Sequence, residues 1–385
     1  MKRPQILALF VFAVLTGLVV HGLAARAAPF SGVPTVVQRV TTVDGASLIL
    51  VELKGNEEGP VAMIHPGLIE TAATFDAFVS SLYRAGYKVF IGHARYVGHG
   101  ELLSAGAPAG PNGLAQVLVK DSQAFWDHLI ARFPNRPLNL MGHSMGGAQI
   151  IAGLSDPARG TYYQEHVNAA VLMTAPHTLL GLPTWVKAIA RGAIPLLERV
   201  QRIGVPYVYQ HKSLFQLTRY MKGQGGPLRQ LAILAEWTIA HALSVVLDRL
   251  IIDHVVVSPA EVRSLMFSTS VFSVDLLLDF ARAALTGQFP VVMAPAQIHV
   301  PTYVIAAELD RLVVLEQQRD LISSLPEGSE HRWILLKNAR HVDPAISNRM
   351  GQALFPRIVK FLSAPLISGS GPLSETLNVC ELVLL

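Results

Sequence analysis

The sequence predicts an α/β fold, a doubly wound and mainly parallel sheet with a large helical insertion. Short apolar runs typical of buried strands alternate along the chain with stretches of helical periodicity, as expected when helices connect parallel strands. Two alternating segments around Asp44-Gly45 form a strong hairpin signal near the start. A long apolar segment, 177–300, has no clear alternation and separates the first group of strands from the last two.

The first predicted elements are the two strands of the hairpin, at 36–43 and 47–53. Between the next two strands, the spacing of the apolar residues Phe75, Phe78, Val79 and Leu82 marks one face of a helix, so this part forms a βαβ unit. The remaining strands are expected at 61–64, 88–92, 138–141, 169–173, 303–307 and 333–336, and a further helix at 114–132.

Composition limits the class of protein. A chain of 385 residues with 51% hydrophobic content can bury a large core and exceeds one minimal domain, which favours a core domain with an insertion. The charged fraction is only 15%, and Lys and Arg are dispersed, which argues against a nucleic acid partner. The single cysteine, Cys380, excludes an intramolecular disulfide. Neither a metal nor a nucleotide cofactor is implied, because HExxH, paired CxxC and glycine-rich phosphate motifs are missing.

The first 27 residues have the layout of a secretory signal peptide. Lys2 and Arg3 precede an apolar run over 6–20, and Ala25-Arg26-Ala27 provides small residues for cleavage. Cleavage after Ala27 would remove three positive charges and lower the formal net charge from +4 to +1. An uncleaved anchor is the alternative, since the run extended to Ala25 has about 20 residues, enough to cross a bilayer. Both predict a catalytic domain outside the cytoplasm, in a protein that is either exported, to the periplasm or as a secreted protein, or anchored in the membrane by residues 6–25.

A glycine-flanked serine carries the strongest chemical signal. Gly142-His143-Ser144-Met145-Gly146-Gly147 directly follows a predicted strand and precedes a helix-compatible stretch. This strand, sharp turn and helix are the context that a nucleophile elbow requires, with glycines where side chains would collide with neighbouring elements. The pattern predicts that Ser144 projects its hydroxyl into a cleft.

Two later strands end in a carboxylate and a histidine. The strand at 303–307 leads into Glu308-Leu309-Asp310, and the strand at 333–336 leads to His341. This order and placement resemble the α/β-hydrolase superfamily over residues 35–362, whose acid and histidine follow late strands. The resemblance implies Ser144 as nucleophile, His341 as general base and then acid, and Asp310 as the group that orients the imidazole.

Two carboxylates compete for the role of the acid. Asp310 could cap a helix that begins near Val313, and Glu308 is then the second candidate. Asp343, close to His341, is predicted to be a loop carboxylate. His93 precedes the glycine-rich loop 95–111 and His99 lies within it, and for both histidines turn and surface roles are favoured over substrate contact.

An oxyanion hole needs two backbone N–H groups. One is expected from Met145, the residue after the nucleophile. The second should follow the strand 61–64, where His65-Pro66-Gly67-Leu68 resembles the family's His-Gly-X loop with a proline inserted. Because proline has no N–H, Leu68 is the preferred donor and Gly67 the second choice.

The predicted organisation has five parts. They are a signal peptide or anchor over 1–27, a first core part over 28–176, a helical cap over 177–300, a second core part over 301–363 and a flexible tail over 364–385. Cap helices are expected at 185–203, 227–253 and 271–286. The run 228–252 is interpreted as a buried helix and not a membrane span, because Glu236 and His241 lie at its centre. The apolar residues on both faces of these helices indicate an apolar tunnel or a lipid-facing surface. Ordinary packing within the cap is the alternative.

The functional hypothesis is an exported serine hydrolase that cleaves carboxylic esters with an apolar acyl or alcohol part through an acyl-serine intermediate. Its substrate would be a small apolar ester or a lipid, with membrane-surface contact through the cap or the N-terminal segment. A peptidase would need an acidic cap residue to hold a free amine, and Glu236 and Asp275 are the candidates. An acyltransferase on the same triad and a non-enzymatic relative of the same fold stay open as well.

Overall fold

A computed structural model describes residues 33–68, 70–98, 102–202, 207–209, 257, 271–327, 330–363 and 373–378. Several predictions lie outside these residues. They are the leader over 1–27, the cap helix over 227–253 with Glu236, the loop residue His99, and Cys380.

One nine-stranded sheet forms the centre of the described fold. Its spatial order is β1-β2-β4-β3-β5-β6-β9-β10-β11. The first two pairings, β1 with β2 and β2 with β4, are antiparallel, and all the others are parallel. The strands are β1 (Thr35–Thr41), β2 (Ser47–Leu53), β3 (Val61–His65), β4 (Lys88–His93), β5 (Leu138–His143), β6 (Val167–Met173), β9 (Thr302–Ala307), β10 (His331–Lys337) and β11 (Leu373–Asn378). The predicted doubly wound, mainly parallel sheet is confirmed.

The described helices are α1 (Asp76–Arg84), α2 (Ser122–Arg132), α3 (Met145–Leu154), α4 (Gly160–Glu165), α5 (Thr184–Arg202), α6 (Val274–Thr286), α7 (Leu315–Ser324), α8 (Asp343–Ile346) and α9 (Asn348–Ser363). Of these, α5 and α6 belong to the insertion and pack on each other. Short 3-10 helices form at Ala72–Phe75 and Pro295–Gln297. The predicted helix over 114–132 is divided, because Gln116–Asp121 is a π-helix that leads into α2.

Two buried apolar clusters hold the helices to the sheet. In the first, α1 and α9 pack together on one face, where the rings of Phe78 and Phe355 lie 4.8 Å apart. In the second, α2, α3 and α4 cover the other face, around the fully buried Trp126. Burial of such side chains stabilises a fold by about 1.5 to 3 kcal/mol each. The two clusters fix the sheet rigidly, so the loops at its carboxyl edge have fixed starting points.

The end of the chain differs from the flexible tail predicted for 364–385. Within that tail, Leu373–Asn378 forms β11, which pairs in parallel with Arg332 to Lys337 of β10. Leu377 packs against the first apolar cluster, and Glu375 lies 3.4 Å from the guanidinium of Arg357. An exposed strand edge has unpaired N–H and C=O groups that another strand can satisfy. The prediction of a flexible extension is therefore wrong for residues 373–378.

Two helices are described within the segment predicted to be a helical cap. The expected helices over 185–203 and 271–286 correspond to α5 and α6, which pack on each other through Leu197, Val274 and Leu278. A small antiparallel ribbon of β7 (Tyr207–Tyr209) and β8 (Val271–Ser273) departs from the all-helical expectation. Among the described residues, none of the helices is both long and apolar enough to span a lipid bilayer.

Two carboxylates attach α6 to the core. Asp275 accepts a hydrogen bond from the backbone N–H of Asn112 at 3.0 Å, and Asp279 accepts one from Leu114 at 3.0 Å. A Cβ on the intervening Gly113 would lie 2.1 Å from the Asp279 carboxylate, so a larger residue there would displace the carboxylate from this contact. The two bonds fix α6 beside the start of the π-helix.

Candidate active site

The turn between β5 and α3 holds Ser144 in a strained conformation. Its backbone has φ +52° and ψ −117°, a region that L-residues rarely adopt. A Cβ on Gly146 would lie 1.8 Å from the His65 carbonyl oxygen, and one on Gly142 would lie 2.4 Å from the Gly146 backbone. The glycines of the motif are therefore needed for close packing, and the turn has the geometry predicted for a nucleophile elbow.

Three side chains from three strand ends form one chain of hydrogen bonds. The Oγ of Ser144 lies 2.8 Å from Nε2 of His341, and Nδ1 of the same imidazole lies 2.8 Å from Oδ2 of Asp310. Asp310 and His341 are buried, while Ser144 is partly exposed. The residues that the sequence singled out, distant along the chain, thus meet within hydrogen-bonding distance at the carboxyl edge of the sheet.

The orientation of the Asp310 carboxylate is fixed by the backbone. Its Oδ1 accepts hydrogen bonds from the N–H groups of Leu312 and Val313 at 2.8 and 2.9 Å, which leaves Oδ2 for the imidazole. Asp310 therefore does both things that were predicted as alternatives: one oxygen accepts from the backbone that precedes a helix, and the other faces the imidazole. The helix itself, α7, begins only at Leu315. Glu308 instead accepts from the Asn338 N–H at 3.0 Å, so the second candidate for the acid is engaged elsewhere.

Asp343 has a structural position at the start of α8. Its Oδ2 accepts a hydrogen bond from the Arg340 N–H at 2.7 Å, and the side chain is fully buried. The bond closes the short turn that carries His341, so the loop carboxylate predicted from the sequence stabilises the loop itself.

The two preferred oxyanion donors lie beside one apolar cluster. Met145 is the first residue of α3, where a backbone N–H has no acceptor within the helix. Leu68 packs against the cluster that contains Met145, and within the described ranges its N–H has no acceptor. The second choice, Gly67, donates its N–H to Oε2 of Glu70 at 2.6 Å. Leu68 therefore remains the predicted partner of Met145.

A second buried histidine and carboxylate pair lies directly behind the first. Nδ1 of His143 is 2.9 Å from Oε2 of Glu70, and Nε2 of His143 is 2.9 Å from the backbone carbonyl of His341. Burial opposes protonation of this imidazole, but the Glu70 charge and hydrogen bond outweigh it and raise the pKa of His143. In the sequence, His143 stands out only as part of the serine motif, and no motif contains Glu70.

The His341 loop has one further support. The hydroxyl of Thr174, just after β6, donates to the His341 carbonyl at 3.0 Å. Thr174 has a positive φ of 43°. A polar residue immediately after a strand is the sequence signal that could have pointed to Thr174, because the carboxyl ends of parallel strands share one edge.

His93 is the last residue of β4, shortly before the glycine-rich loop, and has a structural role. Nε2 of His93 accepts from the Ala72 N–H at 2.9 Å, and Nδ1 faces the Leu102 carbonyl at 3.2 Å. The turn role favoured for His93 agrees with these bonds, but the side chain is buried, so the surface role does not apply. Over the described ranges, no group of three or more His, Cys, Asp or Glu side chains is arranged to hold a metal ion.

Apolar side chains from the core and the insertion meet next to the serine. This cluster contains Met145 and Ala148 of α3, and α6 and the segment before α5 contribute to it. Its other buried members are Leu114, Val117, Leu118, Ala152, Leu179, Leu182, Ala190, Leu276, Ala281, Ala283, Ala284 and Phe289. The described helices of the insertion therefore present an apolar surface to the serine turn.

Comparison with known proteins defines the family. Residues 56–342 match the family model described as Serine aminopeptidase, S33. Because the match covers well over half of the chain, the protein belongs to this family of α/β hydrolases, and the predicted resemblance is confirmed. No curated protein sequence gives a significant match.

Solved structures of low identity share the fold. A thermophilic esterase from Thermogutta terrifontis is 17% identical, with a TM-score of 0.53 over 85% of this chain and 100% of that one. The α/β hydrolase GrgF from Penicillium sp. sh18 is 17% identical, with a TM-score of 0.54 over 86% and 98%. A hydrolase from Pseudomonas aeruginosa PA01 is 18% identical, with a TM-score of 0.51 over 85% and 98%. At these identities the likeness concerns the fold alone.

Proposed function

We propose that the protein is an exported serine hydrolase that cleaves carboxylic esters with an apolar acyl or alcohol part. The observation that carries the proposal is the hydrogen-bond chain from Asp310 through His341 to Ser144, with both distances at 2.8 Å. A serine hydroxyl is a weak nucleophile, and a base at this distance is what it needs to attack a carbonyl carbon.

The reaction proceeds through two tetrahedral species. Nε2 of His341 takes the proton from Ser144 as Oγ attacks the ester carbonyl, and Asp310 holds the tautomer and stabilises the imidazolium. The imidazolium then gives the proton to the departing alcohol, which leaves an acyl-serine. Water, activated by the same imidazole, attacks the acyl carbon and releases the acid. Nucleophile, base and acid each return to their starting states.

The negative oxygen of each tetrahedral species would be held by two backbone N–H groups. We assign them to Met145 and Leu68, since Gly67 already donates to Glu70 at 2.6 Å. Loss of one such donor in other serine hydrolases costs about 3 to 4 kcal/mol of transition-state stabilisation. The close approach of Gly146 to the His65 carbonyl supports this assignment, because it brings the two loops together.

The apolar cluster beside Ser144 supports an apolar substrate group. An acyl chain or alcohol of low polarity would bury its surface against side chains of this kind, with about 0.8 kcal/mol gained for each buried methylene. A lipid ester and a smaller apolar ester both meet this requirement. We further propose that the substrate reaches the site at a membrane surface, through the insertion or the N-terminal segment.

A serine aminopeptidase is the second candidate, and the description of the matching family favours it. Such an enzyme would need a free carboxylate to hold the substrate's amino group. Of the two candidates, Asp275 binds the Asn112 N–H and the side-chain amide of Gln201, at 3.0 and 2.7 Å. Both of its oxygens are engaged in attaching α6. Glu236 lies outside the described residues, so it alone stays a candidate.

The decisive experiment uses protein that lacks residues 1–27 and compares its Ser144→Ala variant with the parent. We expect the substitution to lower kcat for p-nitrophenyl esters by up to about 10⁶-fold while circular dichroism is unchanged. Hydrolysis at the parent rate by the variant would end the serine mechanism. A fluorophosphonate, which reacts only with an activated serine, should add its mass to the parent and not to the variant.

Substrate class needs its own measurements. A series of p-nitrophenyl esters of increasing acyl length should show rising kcat/KM if the apolar cluster binds the chain, and a short-chain optimum would exclude a lipid substrate. Aminoacyl p-nitroanilides with a free amine test the peptidase. Products formed with added alcohol separate an acyltransferase from a hydrolase. Fractionation of cells that express the full chain tests export, and sedimentation with vesicles tests membrane contact.

A further inference from the structure

The site contains a buried ion pair that the serine mechanism does not use. Glu70 follows the loop His65–Leu68, which we call the oxyanion loop, and His143 is the residue before the nucleophile. Both side chains are 1% exposed. Burial of a charged pair carries a large desolvation cost, so a pair in this position requires a reason beyond stability.

The bonds of the pair reach all three parts of the proposed machinery. Oε2 of Glu70 accepts from the Gly67 N–H at 2.6 Å, which holds the oxyanion loop. The same oxygen binds Nδ1 of His143 at 2.9 Å. Nε2 of His143 lies 2.9 Å from the carbonyl of His341, the residue that contacts Ser144. The chain of bonds therefore runs from the oxyanion loop, past the nucleophile, to the base.

The partners of His143 define its protonation. One ring nitrogen faces a carboxylate and the other faces a backbone carbonyl, and a carbonyl can only accept. Donation from both nitrogens requires the imidazolium form, whose charge Glu70 balances. The other charged and titratable groups that face this ring are Asp310 and the imidazole of His341, whose ring centre lies 5.1 Å away. The ring of Phe75, the residue before α1, carries no charge, and its centre lies 6.4 Å from that of His143.

We propose that Glu70 and His143 are positioning residues. They form an ionised pair that holds the oxyanion loop and the backbone of His341 at fixed positions relative to Ser144. The proposal rests on the serine hydrolase function above. The imidazole of His341 has to serve two oxygens in turn, that of Ser144 and that of the leaving alcohol, while its backbone stays fixed. His143 and Thr174 fix it by binding the same carbonyl, at 2.9 and 3.0 Å.

The protonation of His143 is tested first, on the folded parent protein. In ¹⁵N spectra of histidine-labelled protein, we expect one imidazole that keeps both nitrogens protonated above the pH at which unperturbed histidines lose their charge. This signal should be missing from His143→Phe. In Glu70→Gln it should titrate at lower pH, because the balancing charge is gone. A His143 that loses its proton at or below the pH at which unperturbed histidines do so would overturn the proposal.

Kinetics test the positioning. Glu70→Ala removes the acceptor for both Gly67 and His143, and misplacement of reacting groups by about 1 Å costs about 100-fold in rate. We expect kcat to fall by about that factor and KM to change by less than about threefold. Glu70→Gln keeps an oxygen acceptor, so its kcat should be about tenfold higher than that of Glu70→Ala. An unchanged kcat in Glu70→Ala would overturn the proposal.

A control removes another bond between a histidine and a carboxylate. Nε2 of the buried His177 binds the exposed Asp320 of α7 at 2.9 Å, and Asp320→Ala should leave kcat unchanged. If Ser144→Ala abolishes activity but the Glu70 variants behave like the parent, this inference fails and the serine mechanism stands. If Ser144→Ala keeps activity, the proposed function fails first, and the ¹⁵N result still decides whether the pair is ionised.

Discussion

Substitution of Asp310, the proposed acid, tests the geometry of the site most sharply. In Asp310→Asn, one amide oxygen must replace Oδ1, because the Leu312 and Val313 N–H groups at 2.8 and 2.9 Å need an acceptor there. The amide NH₂ group then takes the place of Oδ2 and faces Nδ1 of His341. Since this NH₂ only donates, Nδ1 must accept, and the imidazole proton moves to Nε2. That tautomer cannot take the proton of Ser144.

The magnitude follows from the loss of the correct tautomer. The equivalent change in a serine protease lowers kcat about 10⁴-fold, and we expect the same factor here. At about 1.4 kcal/mol for each tenfold change, the barrier rises by about 5 to 6 kcal/mol. The assay is p-nitrophenyl ester hydrolysis under saturating substrate, with the rate of fluorophosphonate labelling as a second readout of serine activation.

Glu308→Gln is the matched control. It lies two residues earlier on the same loop, and its carboxylate accepts from the Asn338 N–H at 3.0 Å, a bond that a glutamine oxygen can keep. We expect kcat within about twofold of the parent, because no group of the hydrogen-bond chain is touched. If Glu308→Gln lost activity and Asp310→Asn kept it within tenfold, the acid would be misassigned and the reasoning refuted.

Three further predictions concern the fold around the site. Gly146→Ala, whose new methyl group would lie 1.8 Å from the His65 oxygen, should lower the free energy of unfolding by about 3 kcal/mol in urea titrations. Burial lowers the pKa of His65 to about 3, so the unfolded chain binds the extra proton and stability falls as the pH drops from 6.5. The free energy of unfolding should fall by about 2 kcal/mol by pH 5, and His65→Gln should make it less dependent on pH. Asp279→Ala removes the acceptor for Leu114 and should cost about 1 kcal/mol in thermal unfolding, and an unchanged transition would contradict the attachment of α6.

The parts of the fold that the sequence predicted are those set by local patterns. The hairpin at Asp44-Gly45, the parallel strands and the turn at Ser144 each depend on residues within a short window. The order of the strand ends, through its resemblance to the α/β-hydrolase superfamily, then pointed to Asp310 and His341 as the partners of the serine. Parallel strands end at one edge of the sheet, so residues that follow different strands can meet there.

Elements that depend on distant partners could not be predicted in this way. Leu373–Asn378 is short and follows a glycine-rich segment, and its pairing is determined by the open edge of β10. The π-helix at Gln116–Asp121 has an ordinary helical pattern, and the side-chain amide of Gln149 donates to the Val117 carbonyl within it at 2.8 Å. A carbonyl released by a π-turn needs such a donor from elsewhere in the fold.

Glu70 illustrates the same limit at the site itself. Its position five residues after His65 has no pattern that distinguishes it from a surface loop carboxylate. Only the fold brings it against His143, where the carboxylate is 1% exposed and bonded to the oxyanion loop. The roles divide accordingly. Groups that react are constrained by chemistry to a recognisable order along the chain, whereas groups that hold them in place are constrained only by distance. A search for positioning residues must therefore begin from buried charges beside a site and not from motifs.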